Sequence, residues 1–598
     1  MILEALVRLY DRLAADGGVP PYGFSHENVA YAVVLDWQGR AVGVQSLMDT
    51  TGAKPRPSRQ LLPRAVKRST NVKPNFLWDN TGYLLGMARD DDDKPAPVLR
   101  GEHDSLKDFH AGMLQGTGDP GLRAVQRFLA SWRPEDYAKL PHAADMAGTN
   151  VAFMLENVDG LIADRPAARD LWERHVSSTE GGAGWCLATG ERNTPIARLH
   201  PSIRGVTGAP STGTVLVTAN EPAFRSRGAR QGLNSPVSEL AAFKYGAALN
   251  ALLARGSSRR VQIGDTTVVF WAEAARAADA QAAETVYLRL NDPPADDEAQ
   301  ATQVRDWLRR IARGQGLRET RPGCEADTRF YVLGLQPNRA RLAVQFWHDT
   351  TIGDLARRLA QHWADLRLDP EPWLKPPTAW RLLLETTRES ARKTGDVQIE
   401  PGLVEPLTRA IFTGGPYPQC VLVAVLRRLS ADGKLTGMRA AILKACLRRA
   451  QRTREPLTED NLVKLDETSE NVPYLLGRLF AVFVYAEKAA AKRNTTIADK
   501  WLNGASSAPS RTFPNLMQGF QHNLSKLRKD NDRKKQGSAR RADQAASEIT
   551  WLMPAPGDLP SFMPPEDKAR FFVGYYQQER TLYTETPAAD AGSEKETA

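Results

Sequence analysis

The sequence predicts an α+β protein: a mixed N-terminal α/β body with antiparallel strands, followed by a C-terminal all-α helical bundle. Three observations carry that expectation. Period-two alternation of apolar and polar residues is confined to roughly the first 350 residues, with helical stretches between the strands. Beyond about residue 375 strand signals nearly vanish and apolar residues recur at spacings of three and four. At 598 residues the chain is long enough for several structural units and large cores.

The elements follow in order. Met1 to Leu13 is apolar with charges at helical spacing and ends at Gly17-Gly18, which reads as an amphipathic first helix of the fold and not a signal peptide. Tyr31–Leu35 and Ala41–Val44 flank a polar Asp36–Arg40 turn and predict a hairpin. Further strands are expected at Thr214–Val217, Thr267–Trp271 and Phe330–Leu333, and Arg341–Trp347 pairs with its predecessor across Gln336–Asn338. Helices are expected over Glu239–Leu253 and Gln303–Ile311, then over Trp380–Leu384, Val421–Leu429, Met438–Arg452 and Val472–Lys492. In the last of these Leu475, Leu479, Val482, Phe483 and Ala486 share one face. Ser506–Phe513 reads as a Ser/Pro-rich linker, and Phe513–Lys529 with Ser538–Trp551 as a helix pair. A final helix after Pro564-Pro565 carries Phe571, Phe572, Tyr575 and Tyr576, and the small, acidic, polar tail from Thr586 is expected to be disordered. The expected division is a body over 1–370, a bundle over 371–585 and a tail over 586–598.

Hydrophobic content of 42% and charged content of 25% fit a soluble globular chain and exclude collagenous, mucin-like and wholly disordered ones. The four cysteines, Cys186, Cys324, Cys420 and Cys446, form no CxxC pair. That argues against a thiolate zinc site and a disulfide framework, and for a reducing cytoplasm. No run of eighteen apolar residues occurs, so no membrane span is expected.

The net charge of +9 is modest for this length, but it is concentrated. Thr51 to Trp78 holds no acidic residue and carries Lys54, Arg56, Arg59, Arg64, Lys67, Arg68 and Lys73, with Gly and Pro that imply an exposed loop. Arg192 to Val237 holds one acid, Glu221, against Arg192, Arg198, Arg204, Arg225, Arg227 and Arg230, with glycines that admit a phosphate close to backbone N–H groups. A third stretch has Lys526, Arg528, Lys529, Arg533, Lys534, Lys535, Arg540 and Arg541 against Asp530, Asp532 and Asp543. The plainer readings are a solvated loop, a loose excursion between strands and a wet helix face. Three basic stretches in different parts suggest an extended polyanion.

Catalytic patterns are weak. Asp90–Asp93 has no spaced partner carboxylate, and the D…ExK spacing of Asp558, Glu566 and Lys568 falls among Pro560, Pro564 and Pro565, which exclude strands. The nine histidines form no HExxH, and neither GxxxxGK[ST] nor GxSxG occurs. Lys393-Thr394-Gly395 lacks companion motifs. No catalytic residue, metal or cofactor is expected.

Several blocks are more specific. Ser69-Thr70-Asn71-Val72-Lys73-Pro74-Asn75-Phe76-Leu77-Trp78-Asp79-Asn80 continues to Gly86. A central block runs from Cys186 and Gly190 through His200-Pro201-Ser202-Ile203-Arg204-Gly205-Val206 and Ser211-Thr212-Gly213 to Gln231-Gly232-Leu233-Asn234-Ser235-Pro236-Val237. Leu335-Gln336-Pro337-Asn338-Arg339 and Tyr474-Leu475-Leu476-Gly477-Arg478-Leu479-Phe480-Ala481 follow. As an ordered set over essentially the whole chain, these resemble the large subunit of the type I-C CRISPR Cascade surveillance complex.

The resemblance implies a non-catalytic role in antiviral defence. Its partners would be CRISPR RNA, target double-stranded DNA and the displaced single strand, together with the backbone, handle-binding and small subunits and a helicase-nuclease recruited on target binding. The N-terminal body would read and open the duplex bearing the protospacer-adjacent motif. Roughly 465–585 would resemble a small subunit and hold displaced DNA. In such complexes RNA pairing reads most of the sequence and protein reads a short motif and shape. The residues fit those roles: Asn71, Lys73 and Asn75 as motif readers, with Lys67, Arg68 and Arg64 on phosphate. Gln231 and Asn234 are candidates for strand separation or, alternatively, turn-stabilising side chains, with Arg204 and Arg227 on the same stretch. Lys526, Arg528, Lys534 and Lys535 are the bundle's contacts, and Trp78 is read as core. Two other readings remain: a nuclease or RNA-processing enzyme with a dispersed metal site, and a free-standing nucleic-acid-binding protein.

Overall fold

The computed structural model describes residues 1–584 apart from 52–54, 67–71, 91, 93, 99–100, 178–182, 220, 225–227, 230, 292–305, 312, 317–323, 374–375, 395–396, 401, 455–461, 491–496 and 554–558. Lys67, Arg68, Asn71, Arg227 and the 586–598 tail therefore lie outside the described residues. The chain divides into two compact units. Sheets occupy the N-terminal part, the last strand ends at Thr351, and everything described beyond it is helical or turn, as the α+β expectation has it.

The first unit comprises Met1–Gly205, Ala209–Ser257 and Arg339–Arg341. Its four-stranded sheet runs Ala41–Ser46, Tyr31–Leu35, Asn150–Leu155, Trp78–Asn80. The two central strands are parallel and the flanking pairs antiparallel. The expected hairpin is present. Asp36 closes its turn by accepting the N–H groups of Gln38 and Arg40, and Gly39 supplies the positive φ of +85° that such a turn favours. Val33, Val151, Phe128 and Phe153 form the core around it.

Beside this sheet lies a smaller one, ordered Phe24–Val29, Arg56–Pro63, Met48–Asp49. Here the sequence reading needs correction, because Thr51–Trp78 is not all loop. Its prolines are compatible with strand: Pro63 is the last residue and Pro57 the second, positions where a missing N–H is tolerated. Buried Leu62 draws the strand inward while Arg56 and Arg59 remain exposed. The N-terminal half of the strand thus stands clear of the core.

The helix Ile2–Ala15 packs on Glu239–Leu253. Tyr10 meets Phe243 edge-on at 5.8 Å between ring centroids, and Asp11 pairs with Lys244 at 2.7 Å.

The second unit comprises Val206–Gly208, Ser258–Asn338 and Leu342–Ala598. Arg260–Ile263, Thr266–Glu273 and Arg329–Asn338 form an antiparallel run, with the strand ending at Thr351 beside the last. Phe270 and Val332 of this sheet belong to the same apolar cluster as Leu475, Phe480 and Phe571 of the helices. The bundle therefore shares its core with a sheet.

At the centre of the bundle Val472–Ala490 lies against Pro565–Thr584. Glycines set their separation: a Cβ on Gly477 would stand 1.9 Å from the Phe571 carbonyl oxygen, and one on Gly574 would stand 2.3 Å from that of Tyr474. Tyr474 donates to Gln577 Oε1 at 2.6 Å, and Arg478 Nε donates to Gln578 Oε1 at 2.9 Å. The Tyr474–Arg478 block is thus a helix-packing device. The Ser506–Phe513 linker reading is also corrected. Ile497–Ser507 and Pro509–Arg528 are helices meeting at Ala508, and Pro509 occupies a first-turn position where no N–H is needed.

The same unit buries a charge cluster. Asp365, fully buried, accepts from Arg449 Nε at 2.8 Å and from both terminal nitrogens of Arg452, and Arg448 lies at 3.5 Å. Arg449 also donates to the carbonyls of Ala410 and Gly415 and lies over the Tyr417 ring at 4.4 Å. One carboxylate thereby ties the helices Ile352–Leu366 and Gly437–Arg454 together.

Candidate nucleic-acid interface

The first basic stretch rests on a frame built by the residues that follow it. Asn75 is 4% exposed, and its Oδ1 accepts the Val66 N–H at 2.9 Å. This bond joins the residues on either side of segment 67–74. The Asn75 N–H is in turn held by Asp79 Oδ2 at 2.9 Å. Phe76 is stacked between His110 and Trp172, with centroids 5.5 and 5.6 Å away. Leu77 has a positive φ of +64°, costly for a leucine, and its N–H donates to His110 Nε2 at 2.9 Å. Trp78 is buried as expected and donates its indole N–H to the Pro63 carbonyl at 2.8 Å, tying the frame to the Arg56–Pro63 strand. Asn80 caps the short helix Thr81–Leu85 by accepting the Tyr83 N–H. In this geometry Asn75 braces the loop from inside, while Lys73 is exposed.

His110 is the hidden support of the frame. Its Nδ1–H donates to the Leu106 carbonyl, which leaves Nε2 unprotonated to accept from Leu77. Burial pushes its pKa down to about 4. The unfolded chain takes up this proton near pH 6.5, whereas the folded one holds it off to about pH 4. The stabilisation is complete above pH 6.5 and is lost as pH falls toward 4. We expect His110→Gln to flatten the slope of unfolding free energy against pH in that window by roughly 1 kcal/mol per pH unit, measured by denaturant titration at several pH values. An unchanged slope would remove His110 from this role.

The second stretch is anchored on the Glu239–Leu253 helix. Buried His200 bonds Tyr245 through Nδ1 at 2.7 Å. Asn250 donates to the Ser202 carbonyl and accepts from the Arg204 N–H at 2.8 Å. Gly232 approaches so closely that a Cβ there would lie 2.0 Å from the Ala197 carbonyl. Gln231 has a φ of +49°, and Asn234 Nδ2 donates to its carbonyl at 3.0 Å. Asn234 thus closes a turn, the alternative the sequence left open. Arg204 is exposed.

The structure brings the two stretches together on this helix. Arg64, at one foot of the first loop, lies over the Phe243 ring at 5.9 Å. The Gln231–Asn234 turn ends four residues before Ser238, the N-cap of the same helix.

Lys526, Arg528, Lys534 and Lys535 occupy the second unit, at the turn between the helices Pro509–Arg528 and Arg533–Trp551. Two of them are partly neutralised: Arg528 pairs with Asp543 at 2.6 Å and Lys535 with Asp530 at 2.7 Å. Arg533, Lys534 and Lys535 open a helix whose N-terminal dipole disfavours cations. Their placement does not serve helix stability.

Asp90 accepts the N–H groups of Asp92 and Lys94 and so closes a turn. Among the described residues no three His, Cys, Asp or Glu side chains gather as a metal site, and no helix is long and apolar enough to cross a membrane. Reading the sequence alone missed His110 and Trp172, because their tasks depend on contacts with Leu77 and Gly23 far away in the chain.

A family model described as CRISPR-associated protein (Cas_Csd1) matches residues 6–583. No curated protein matches the chain.

Proposed function

The chain belongs to the Cas_Csd1 family of CRISPR-associated proteins, and from that premise we propose that it is the non-catalytic large subunit of an RNA-guided DNA surveillance complex of the type I-C Cascade kind. The observation that carries this reading is the framed loop. A basic, acid-free segment is held at both feet by buried bonds and exposes Lys73 beside a strand that exposes Arg56 and Arg59. Flanks held in this way lower the entropy lost when Lys73 and the adjacent strand meet a ligand. Lys73 and Asn71 would read the protospacer-adjacent motif, where ammonium and amide groups reach base-edge acceptors. Lys67, Arg68, Arg56 and Arg59 would hold phosphate. Asn75 would act by keeping the loop closed.

In this reading Arg204, Arg227, Gln231 and Asn234 flank the opened duplex. The basic turn of the second unit holds displaced single strand, and other subunits bind the CRISPR RNA. Cutting falls to a recruited helicase-nuclease.

The test uses the assembled complex. We expect Asn71→Ala with Lys73→Ala to weaken binding of motif-bearing duplex about 10- to 100-fold and to bring it to the level of a scrambled motif. Replacing Lys526, Arg528, Lys534 and Lys535 by Ala should weaken binding of every sequence and flatten its salt dependence. Full discrimination between motif and scrambled duplex by the first variant would refute the loop assignment. Metal-dependent cleavage by the purified chain would favour the enzyme reading.

A further inference from the structure

Trp185 is 57% exposed, an unusual position for a tryptophan held so firmly. Its indole N–H donates to the Gly190 carbonyl at 3.1 Å, so the ring's one polar group is satisfied within its own turn. The turn itself is rigid: the Cys186 N–H donates to Glu191 O, and the Gly190 N–H donates to Cys186 O, each at 2.8 Å. Cys186 is fully buried, and its sulfur accepts the N–H of Ser238, the N-cap of the Glu239–Leu253 helix, at 3.2 Å. Leu187 bonds the Pro236 carbonyl through its N–H at 2.9 Å. The ring is therefore mounted on the scaffold that carries the second basic stretch.

The Arg192 guanidinium lies over the Trp185 ring at 5.4 Å. Cation–π contact orients both groups. The one acid of the turn, Glu191, accepts from the Thr189 hydroxyl at 3.2 Å. The neighbouring segments expose Arg198 and Arg204. A preorganised aromatic face beside an arginine, in surroundings short of acid, matches what an unpaired nucleobase on a phosphate chain requires. The base stacks on the ring and the phosphates meet the guanidinium groups. Tryptophan and arginine also anchor protein interfaces, but arginines with so little acid among them favour a phosphate chain.

We propose that Trp185 and Arg192 form a stacking site for an unpaired nucleobase of single-stranded nucleic acid. This rests on the nucleic-acid reading above and deepens it, since a base freed from an opened duplex needs a resting place close to where the duplex opens. Trp185 provides the surface, Arg192 orients it and contacts the backbone, and Cys186 with Ser238 holds both in place.

The test measures anisotropy of a labelled single-stranded oligonucleotide with the full-length chain. Its companions are an oligonucleotide of the same length lacking bases and a motif-bearing duplex. Trp185→Ala is expected to weaken binding of the single strand about tenfold, the usual scale for one stacked base, while Trp185→Phe retains most of the affinity. On the abasic strand wild type and Trp185→Ala should bind alike. Equal binding of the normal strand by wild type and Trp185→Ala overturns the proposal, and so does an equal loss on the abasic strand. If the chain binds duplex through Asn71 and Lys73 but ignores the single strand, this site falls and the large-subunit reading stands. If single-strand binding depends on Trp185 while duplex binding ignores Asn71 and Lys73, the site stands and the motif-reading assignment falls.

Discussion

Gly477→Val is expected to lower the stability of the second unit by on the order of 4 kcal/mol. The side chain would have to enter space held by the Phe571 carbonyl, and backbone atoms do not yield as side chains do. Relief requires Val472–Ala490 and Pro565–Thr584 to move apart, which also breaks the Tyr474–Gln577 and Arg478–Gln578 bonds. Arg478 is almost fully buried, so losing its acceptor adds a desolvation cost. Gly574→Val should behave the same way from the opposite helix. The control is Gly519→Ala, a helical glycine with open space around its Cβ position, expected to be neutral or to stabilise by up to about 1 kcal/mol. Denaturant unfolding followed by circular dichroism and limited proteolysis reads all three. Unfolding of Gly477→Val at the wild-type midpoint would show that the two helices do not approach this closely.

Asp365→Asn should cost about 3–5 kcal/mol. The substitution hardly changes shape, so the loss is electrostatic. Arg449 is 1% exposed at its side chain and would keep its charge with no carboxylate beside it, while Arg448 and Arg452 face the same site. The pair Arg427–Glu400 is the comparison: both side chains are half or more exposed, and Glu400→Gln should change stability by less than about 1 kcal/mol. Equal effects of the two substitutions in denaturant titration would mean that Asp365 is hydrated in solution.

Legibility in the sequence followed the range of the interaction. The Tyr31–Leu35 hairpin and the helix after Pro565 are encoded by local periodicity and by turn or first-turn residues. The Glu239–Leu253 helix was predicted to its residue bounds. The strand Arg56–Pro63 was hidden because its two prolines signal loop locally, whereas pairing with Phe24–Val29 decides its conformation. Ser506–Phe513 misled in the same way: serine and proline mark linkers but also suit the first turn of a helix.

The candidate interface was legible as charge and illegible as architecture. Lys and Arg without acids point to a polyanion from composition alone. Nothing local says that Asn75 faces inward, that Leu77 takes a left-handed conformation, or that His110, 33 residues on, supports it. The specific-looking Asn75–Asn80 block turned out to be occupied with internal contacts. Nothing local marks Trp185, because exposure is a property of the fold.

The frame beside the first basic stretch has a consequence for which of its parts tolerate substitution. Three of its bonds run from the flanks of the stretch to the interior: Val66 to Asn75, Trp78 to Pro63, Leu77 to His110. Each uses a backbone group at one end, so Val66, Leu77 and Pro63 can change side chain without losing the bond's partner, whereas Asn75, His110 and Trp78 cannot. Three side chains, rather than the segment as a whole, are therefore what substitution must spare for the frame to hold.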